Sequence, residues 1–339
     1  MTLTSERVSS DPRRELERQI STAVPGNCTV WLDNPFNLYL IERQAEAYLS
    51  LMRSSVYGDG FHSTVRNLME RNSESIISRL APPVNVIDLG PGYPDKTFPL
   101  LERMRAQRLA GRYTPVDIND RFLKLAADAC RPFGFPVEPC HLLFEELPMR
   151  LSRMSDSSAR LVLMGVTFMN YDPRRACRLL SRLIQPGGAA VIAVELLRDD
   201  SLESVMRPYR SSQARAFNFL PLEIVGVDAG SVDYFVRFER GRIEMGFEIL
   251  SPVSVGKVRL QPGRRIVTSF SCRYRMRDLQ ALLKCHFPRV EIYSDESESC
   301  AVARLCLNPS PGGNPCPERR RPFEIVSQNA AEFLRREKQ

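Results

Sequence analysis

The chain predicts an α/β fold, a doubly wound parallel sheet interrupted by an inserted α+β block. Three observations predict it. From residue 84 onward, short and largely apolar runs ("VNVIDLG", "RYTPVDI", "ARLVLMGVTF", "AAVIAVELL") alternate with helical stretches such as "FPLLERMRAQ" and "PRRACRLLSRLI", the pattern of strands buried on both faces between helices. Two successive runs end in a carboxylate beside a turn, "NVIDLGPGYPDKT" and "YTPVDIND". After "AAVIAVELL" the rhythm breaks for roughly 75 residues before a last helix and two strands return, which marks an insertion.

Ahead of the sheet, residues 5–22 read as a polar helix and 41–52 as an amphipathic one around "ERQAEAYLSLM". The glycines of "SSVYGDGFHST" predict a loop, and 65–80 a helix leading into the first strand. Within the sheet, "DRFLKLAADACRPF" is the second helix, "VEPCHLLF" the third strand, and "QPGG" the turn into the fifth. The inserted block carries β-like segments, "SVDYFVRFERGRIEMGFEIL" and "GRRIVTSFSCRYRM"; "RDLQALLKCHF", "RVEIYSDE" and "SCAVARLCLN" close the sheet.

Composition narrows the function classes. With 339 residues and 43% hydrophobic content the chain can bury a large core. It contains no apolar run long enough for a membrane span, and "MTLTSERVSSDPRRELERQ" lacks the apolar centre of a signal peptide, so a cytoplasmic protein without a membrane partner is expected. The nine cysteines are scattered without a CxxC pair, which suggests neither a disulfide framework nor a metal site. The net charge of +7 comes from arginines spread along the chain; the one dense run, "ERRRP", lies in the Pro/Gly-rich tail, and no aromatic RNA-binding motif accompanies it. No nucleic-acid partner is therefore expected.

In an open α/β sheet, ligands lie beyond the carboxyl ends of the strands near the point where strand order reverses. Gly90 and Gly92 let the backbone approach a ligand there, and Asp117 is placed to accept hydrogen bonds from a ribose diol. The turn lacks the third glycine of a dinucleotide fingerprint, and Pro91 and Pro94 stiffen it. A nucleoside without phosphates suits it better than a pyrophosphate, and S-adenosylmethionine (SAM) is a common cofactor of that kind.

Taken together, these motifs resemble the histidine-specific methyltransferase family, typified by the ergothioneine-pathway enzyme that trimethylates the α-amine of histidine, over roughly residues 56–307. "DLGPGYPDKT" is similar to the family's acidic-Leu-Gly-x-Gly segment ending in Lys-Thr, which implies that Lys96 holds the cofactor's carboxylate. "YTPVDIND" resembles its Pro-Val-Asp-Ile segment, with Asp117 as ribose ligand, and "LMGVTFMNYDP" implies Gly165 near the cofactor and Asn170 on the substrate's amino acid group. "PYRSSQARAFN" and "GRIEM" resemble landmarks that carry substrate roles to Tyr209 and Met245, with Phe217 and Asn218 nearby.

The departures are as informative. The family's Glu-x-Ser, which reaches the substrate imidazole, is similar to "TSFSCRY" here, where Ser271 stays and Ser269 stands at the acidic position. The tyrosine pair over the substrate is replaced in "GFHST" by Phe61 and His62, with Tyr39 of "NLYL" as the rival equivalent. The Asp-Phe near the adenine is "LLF", so Phe144 can stack while Leu143 cannot accept a hydrogen bond. Losing a carboxylate aimed at a ring N–H changes substrate choice by orders of magnitude.

The resemblance implies a Rossmann-like class I methyltransferase sheet divided as an N-terminal helical segment and substrate lid (1–64), a SAM-binding core (65–196), an inserted substrate domain (197–274), a return to the core (275–308) and a basic tail (309–339). The expected activity is SAM-dependent methylation of a small amino acid or amino-acid-derived metabolite other than histidine, on an amine. Alternatives are S-, O- or C-methylation of a related secondary-metabolite precursor, or a non-catalytic SAM-fold binding protein. Because an amine at neutral pH is mostly charged, the site needs a proton acceptor, for which His62 and Tyr209 are the catalytic candidates. A monomer is expected, with a homodimer as its alternative.

Overall fold

The structure is a computed structural model that describes residues 3–4, 11–22, 29–32, 35–53, 60–154, 156 and 158–307. The basic tail expected at 309–339, residues 5–10 of the first helix and 54–59 of the glycine loop lie outside the described residues. Along the chain the strands are β1 (Leu3–Thr4), β2 (Thr29–Trp31), β3 (Val84–Leu89), β4 (Ala110–Asp117), β5 (Cys140–His141), β6 (Ala159–Gly165), β7 (Ala189–Glu195), β8 (Val232–Glu239), β9 (Arg242–Ile249), β10 (Val253–Val255), β11 (Val258–Leu260), β12 (Arg265–Cys272), β13 (Arg289–Ser294) and β14 (Cys300–Cys306). They fall into two compact units. One is drawn from Met1–Ser5, Asp59–Arg198 and Arg273–Gln339, the other from Glu6–Gly58 and Asp199–Cys272.

The first unit is built on a sheet of order β1-β5-β4-β3-β6-β7-β14-β13. Pairing is parallel from β1 to β7, and β14 runs antiparallel to both β7 and β13. Every residue of β3 is buried, as is all of β6 and β7 up to their last residues, which explains why these strands read as unbroken apolar runs. Val86, Leu161, Val191 and Val302 share one core with Leu100, Leu101 and Met104 of the helix Phe98–Ala106. On β14 the apolar run takes in a charge: Arg304 is buried and donates to the carbonyls of Ile76 and Ser78, each at 2.8 Å, at the end of the helix Ser73–Ile77. Strand order reverses beside β3, whose successors β4 and β5 lie on one side and β6 and β7 on the other.

Two local expectations change. The helix expected at 65–80 is two helices, Phe61–Arg71 and Ser73–Ile77, and the first begins inside the stretch expected to be a loop. Gly60, at φ +109°, precedes it; Thr64 N–H and the Ser63 hydroxyl both donate to the Gly60 carbonyl. Its buried positions His62, Val65, Leu68 and Met69 follow the helical period, with Phe61 packed against the sheet core. "VEPCHLLF" supplies only the two residues of β5.

The second unit carries a four-stranded sheet of order β2-β12-β9-β8 and the β10–β11 hairpin. Here the expected boundary at 1–64 is corrected: β2 pairs in parallel with β12, Thr29 against Arg265 and Trp31 against Val267, so the N-terminal segment completes the sheet of the insertion. The helix Glu42–Met52 joins the same unit, its Tyr48 packing with Tyr39 against Phe217 of the helix Ser212–Ile224. Val30, Ile266, Phe247 and Leu222 form its core with Leu16 and Ile20 of the helix Pro12–Ser21.

Candidate active site

In the first unit the expected cofactor residues converge on the ends of β3, β4 and β6. Beyond β3 the backbone passes through Gly90 at φ +68° and Gly92 at φ +53°, a region that side chains with a Cβ rarely enter. A Cβ on Gly90 would also lie 3.0 Å from Thr167 Oγ1 and 3.3 Å from the Phe144 ring, so the turn is lined by those two side chains. The Gly90 N–H donates to Val116 of the adjacent β4 at 2.9 Å. On the other side of the switch point, Gly165 has φ +44°, and a Cβ there would meet nothing within 4 Å. That strand end is open. Phe144 stacks on Tyr171, with ring centroids 5.8 Å apart and planes 23° apart, which gives the turn an aromatic wall.

Two buried carboxylates stand beneath the turn. Asp117 ends β4; burial pushes its carboxyl up to about 7, against the backbone N–H groups of Asn119 and Ile118, and the neighbouring Asp88 raises it further. Asp88 accepts from the hydroxyls of Thr97 (3.0 Å) and Tyr113 (2.8 Å); burial pushes it up to about 6, while these donors and the Lys96 charge pull the other way. The Lys96 ammonium lies 3.2 Å from Asp95 with its side chain one-fifth exposed. His141, on β5, ties the loop after Asp117 in place: Nε2 lies 2.6 Å from the Ile118 carbonyl and Nδ1 3.3 Å from Asp120.

His62 lies edge-on to the half-buried Phe61 ring. Burial, and then the charge of Lys96, push His62 down to about 3, so the imidazole is neutral at physiological pH. Asn170 closes the short helical segment Val166–Asn170 after β6; it is half-buried, and no hydrogen bond holds its side chain among the described residues. At the end of β7, Glu195 pairs with the fully buried Arg273 at 2.8 Å, and Met169 Sδ accepts from the Glu195 N–H.

The second unit gathers part of the expected substrate set. Register places Ser269 opposite Met245 and Ser271 opposite Ile243 on one face of the sheet. The buried Asn218 reaches the same place: its Oδ1 accepts from the Ser269 hydroxyl and from Thr268 (3.2 Å), and its Nδ2 donates to Ala214 (2.9 Å). Tyr209 packs with Met245 and Ile243, and its carbonyl accepts from Tyr234 at 2.9 Å. Phe217 does not join them. Its ring packs between Tyr39 and Tyr48.

Over residues 62–306 the chain matches the family described as histidine-specific methyltransferase, SAM-dependent. The chain belongs to that family. It is 26% identical over 220 residues to the histidine N-alpha-methyltransferase of Mycolicibacterium smegmatis (strain ATCC 700084 / mc(2)155), a match spanning 58% of this chain and 67% of the relative. Among solved structures it is similar to a SAM-dependent methyltransferase from Clostridium acetobutylicum ATCC 824 (12% identity, 77% of this chain and 98% of that one, TM-score 0.44). It is also similar to the CurJ carbon methyltransferase (13% identity, 87% and 66%, TM-score 0.45).

A SAM-dependent methyltransferase of this family acts on a small molecule. The residues present fit the cofactor: a turn in which two glycines are required by φ, an aromatic wall, and a buried acceptor at the end of β4. No helix among the described residues is long and apolar enough to cross a membrane. Three features of this site leave no motif in the sequence: Asp88 as the holder of the turn, Thr167 as its lining, and the Glu195–Arg273 pair. The acidic ends of β3 and β7 are the only hint of Asp88 and Glu195: Thr97 lies in the same motif as Asp88 but carries no mark of the bond, and Tyr113 and Arg273 come from other strands or loops.

Proposed function

We propose that this methyltransferase N-methylates the amine of a small amino acid or amino-acid-derived metabolite other than histidine. The observation that carries the reading is Ser269. It stands where the family's imidazole-reading carboxylate is expected, and its hydroxyl is engaged by Asn218, whose own carboxamide is satisfied by Thr268 and Ala214. A charged acceptor for a ring N–H is thereby replaced by a neutral, internally bonded group. Side-chain selection is assigned to Tyr209, Met245, Ser269 and Ser271; Phe217, packed between Tyr39 and Tyr48, is left out of it.

In this reading Gly90, Gly92, Phe144 and Gly165 receive the adenosine, Asp117 accepts from the ribose hydroxyls and Lys96 holds the carboxylate. The bound cofactor supplies a sulfonium methyl group with a good leaving group, so the protein's task is alignment of an unprotonated nucleophile. Asn170 orients the acceptor's amino acid group with a carboxamide that has donors and an acceptor to offer. The expected role of His62 as proton acceptor is corrected: burial and the Lys96 charge hold its imidazole at about 3, too weak a base to take an ammonium proton. The amine therefore loses its proton to solvent before it reacts, while His62 stays a neutral neighbour of Phe61, which excludes water. The test is a screen of amino acids and amines with methyl-labelled cofactor, read by mass spectrometry. A labelled amine from a substrate other than histidine is expected; efficient trimethylation of free histidine, or label on sulfur, oxygen or carbon, overturns the assignment.

A further inference from the structure

The segment from Gly90 to Lys96 leaves β3 and must hold two glycines at positive φ and a lysine in fixed positions, although it forms no regular structure. Its first anchor is the Gly90 N–H on Val116. At its far end Thr97 carries a second: while its N–H bonds back to Pro94, its hydroxyl reaches Asp88, a residue of β3 two positions before Gly90. The same carboxylate oxygen, Asp88 Oδ2, accepts from Tyr113 of β4. One fully desolvated carboxylate therefore ties the end of the segment to its beginning and to the next strand.

We propose that Asp88 is the positioning residue of the cofactor segment: through Thr97 it fixes Lys96 and the Gly90–Gly92 backbone, and so sets cofactor affinity without itself touching the cofactor. The inference rests on the assignment of Gly90, Gly92 and Lys96 to the cofactor. A threonine hydroxyl bonded to a buried charge is held more strongly than one bonded to a neutral group, so the tether works as a carboxylate and loosens when it gains a proton. The ionisable groups facing Asp88 are Lys96 from the segment, Tyr113 and Asp117 from β4, and Cys130 from the helix Asp120–Cys130; Lys96 in turn faces His62. Of these only Lys96 favours the charged form by its own charge. Burial dominates, so the tether is weakened as pH falls through about 6.

The experiment measures binding of SAM and of S-adenosylhomocysteine to the full chain by calorimetry from pH 8 to 5.5, together with hydrogen exchange of the amides at 90–97. Asp88→Asn and Thr97→Val are each expected to weaken binding about tenfold or more, the usual size for a hydrogen bond to a charged group. The double variant should be no weaker than the worse single one, and exchange at 90–97 should quicken in all three. Wild-type affinity should decline near pH 6, and Asp88→Asn should lack that step, while the separate one due to Asp117 moves below about 7 because the neighbouring charge that raised it is gone. Should Asp88→Asn fail to fold, Thr97→Val alone carries the affinity and exchange tests. Wild-type affinity in Thr97→Val, additive losses in the double variant, or an unchanged pH profile in Asp88→Asn overturns the proposal. Lys96→Met serves as the control: unchanged binding there overturns the assignment of the segment to the cofactor, a failure distinct from that of the tether.

Discussion

Replacing His62 by glutamine removes a buried base and keeps a neutral polar side chain of similar reach. In the folded protein burial and Lys96 hold the imidazole at about 3, against 6.5 when it is free. A base whose folded value lies below its unfolded value binds fewer protons when folded, so it costs stability as pH falls below the unfolded value and reaches its full cost below the folded one. The shift corresponds to roughly 5 kcal/mol below pH 3, and to roughly 2 kcal/mol at pH 5 relative to pH 7.5. Urea unfolding of the cofactor-free chain at several pH values, for wild type and His62→Gln, reads this directly as the difference between the two stabilities. Taking the difference cancels Asp88 and Asp117, whose raised values act in the opposite sense by favouring the folded state as pH falls. The variant should gain about 2 kcal/mol on the wild type between pH 7.5 and 5. A difference that stays constant over that range would refute the buried neutral imidazole.

Asp117→Ala should weaken cofactor binding by roughly 1–3 kcal/mol, because ribose hydroxyls lose a charged acceptor; unchanged calorimetric affinity would sink the role given to the end of β4. Gly90→Ala should destabilise the chain by roughly 1–2 kcal/mol and abolish tight cofactor binding, since it meets both a positive φ and the Thr167 and Phe144 contacts; thermal melts with and without SAM check it. Phe61→Ala should lower turnover and cost roughly 1–3 kcal/mol of stability through its contact with the sheet core, while cofactor affinity is kept. Loss of cofactor binding in that variant would assign Phe61 to packing alone. Ser269→Glu should admit imidazole-bearing substrates only when the Phe61 and His62 positions are also changed to tyrosine, measured by competition between histidine and the preferred acceptor.

The parallel sheet was legible because burial on both faces leaves a trace in every residue of a strand: "VNVIDL" and "AAVIAV" allow little else. The cofactor end was legible for a related reason, since Gly90, Gly92 and Asp117 are local solutions to local geometry. The glycines beside Phe61 and His62 signal a loop more loudly than the helical spacing of His62, Val65, Leu68 and Met69, which begins only after Gly60. The assignment of β2 to the inserted block was not legible at all. Three residues carry no pattern, and the edge of β12 that they complete becomes apparent only once the strand is folded. Asp88 and Ser269 illustrate the same limit. Their residue types are plain in the sequence, but what each does depends on the hydroxyls of Thr97 and Tyr113 and the amide of Asn218 that folding brings to them.

The pairing of β2 with β12 also sets an order of events during synthesis. More than two hundred residues separate Thr29 from its partner Arg265, so the early segment leaves the ribosome long before the edge it completes has been made, while strands β3 to β7 of the parallel sheet emerge in between. Contacts of such sequence distance are slow to form and leave unpaired strand edges exposed meanwhile. Removal of 29–31 would turn β12 into an open edge able to pair with another chain, so that shortening the polypeptide at its start would be felt as aggregation of a distant sheet.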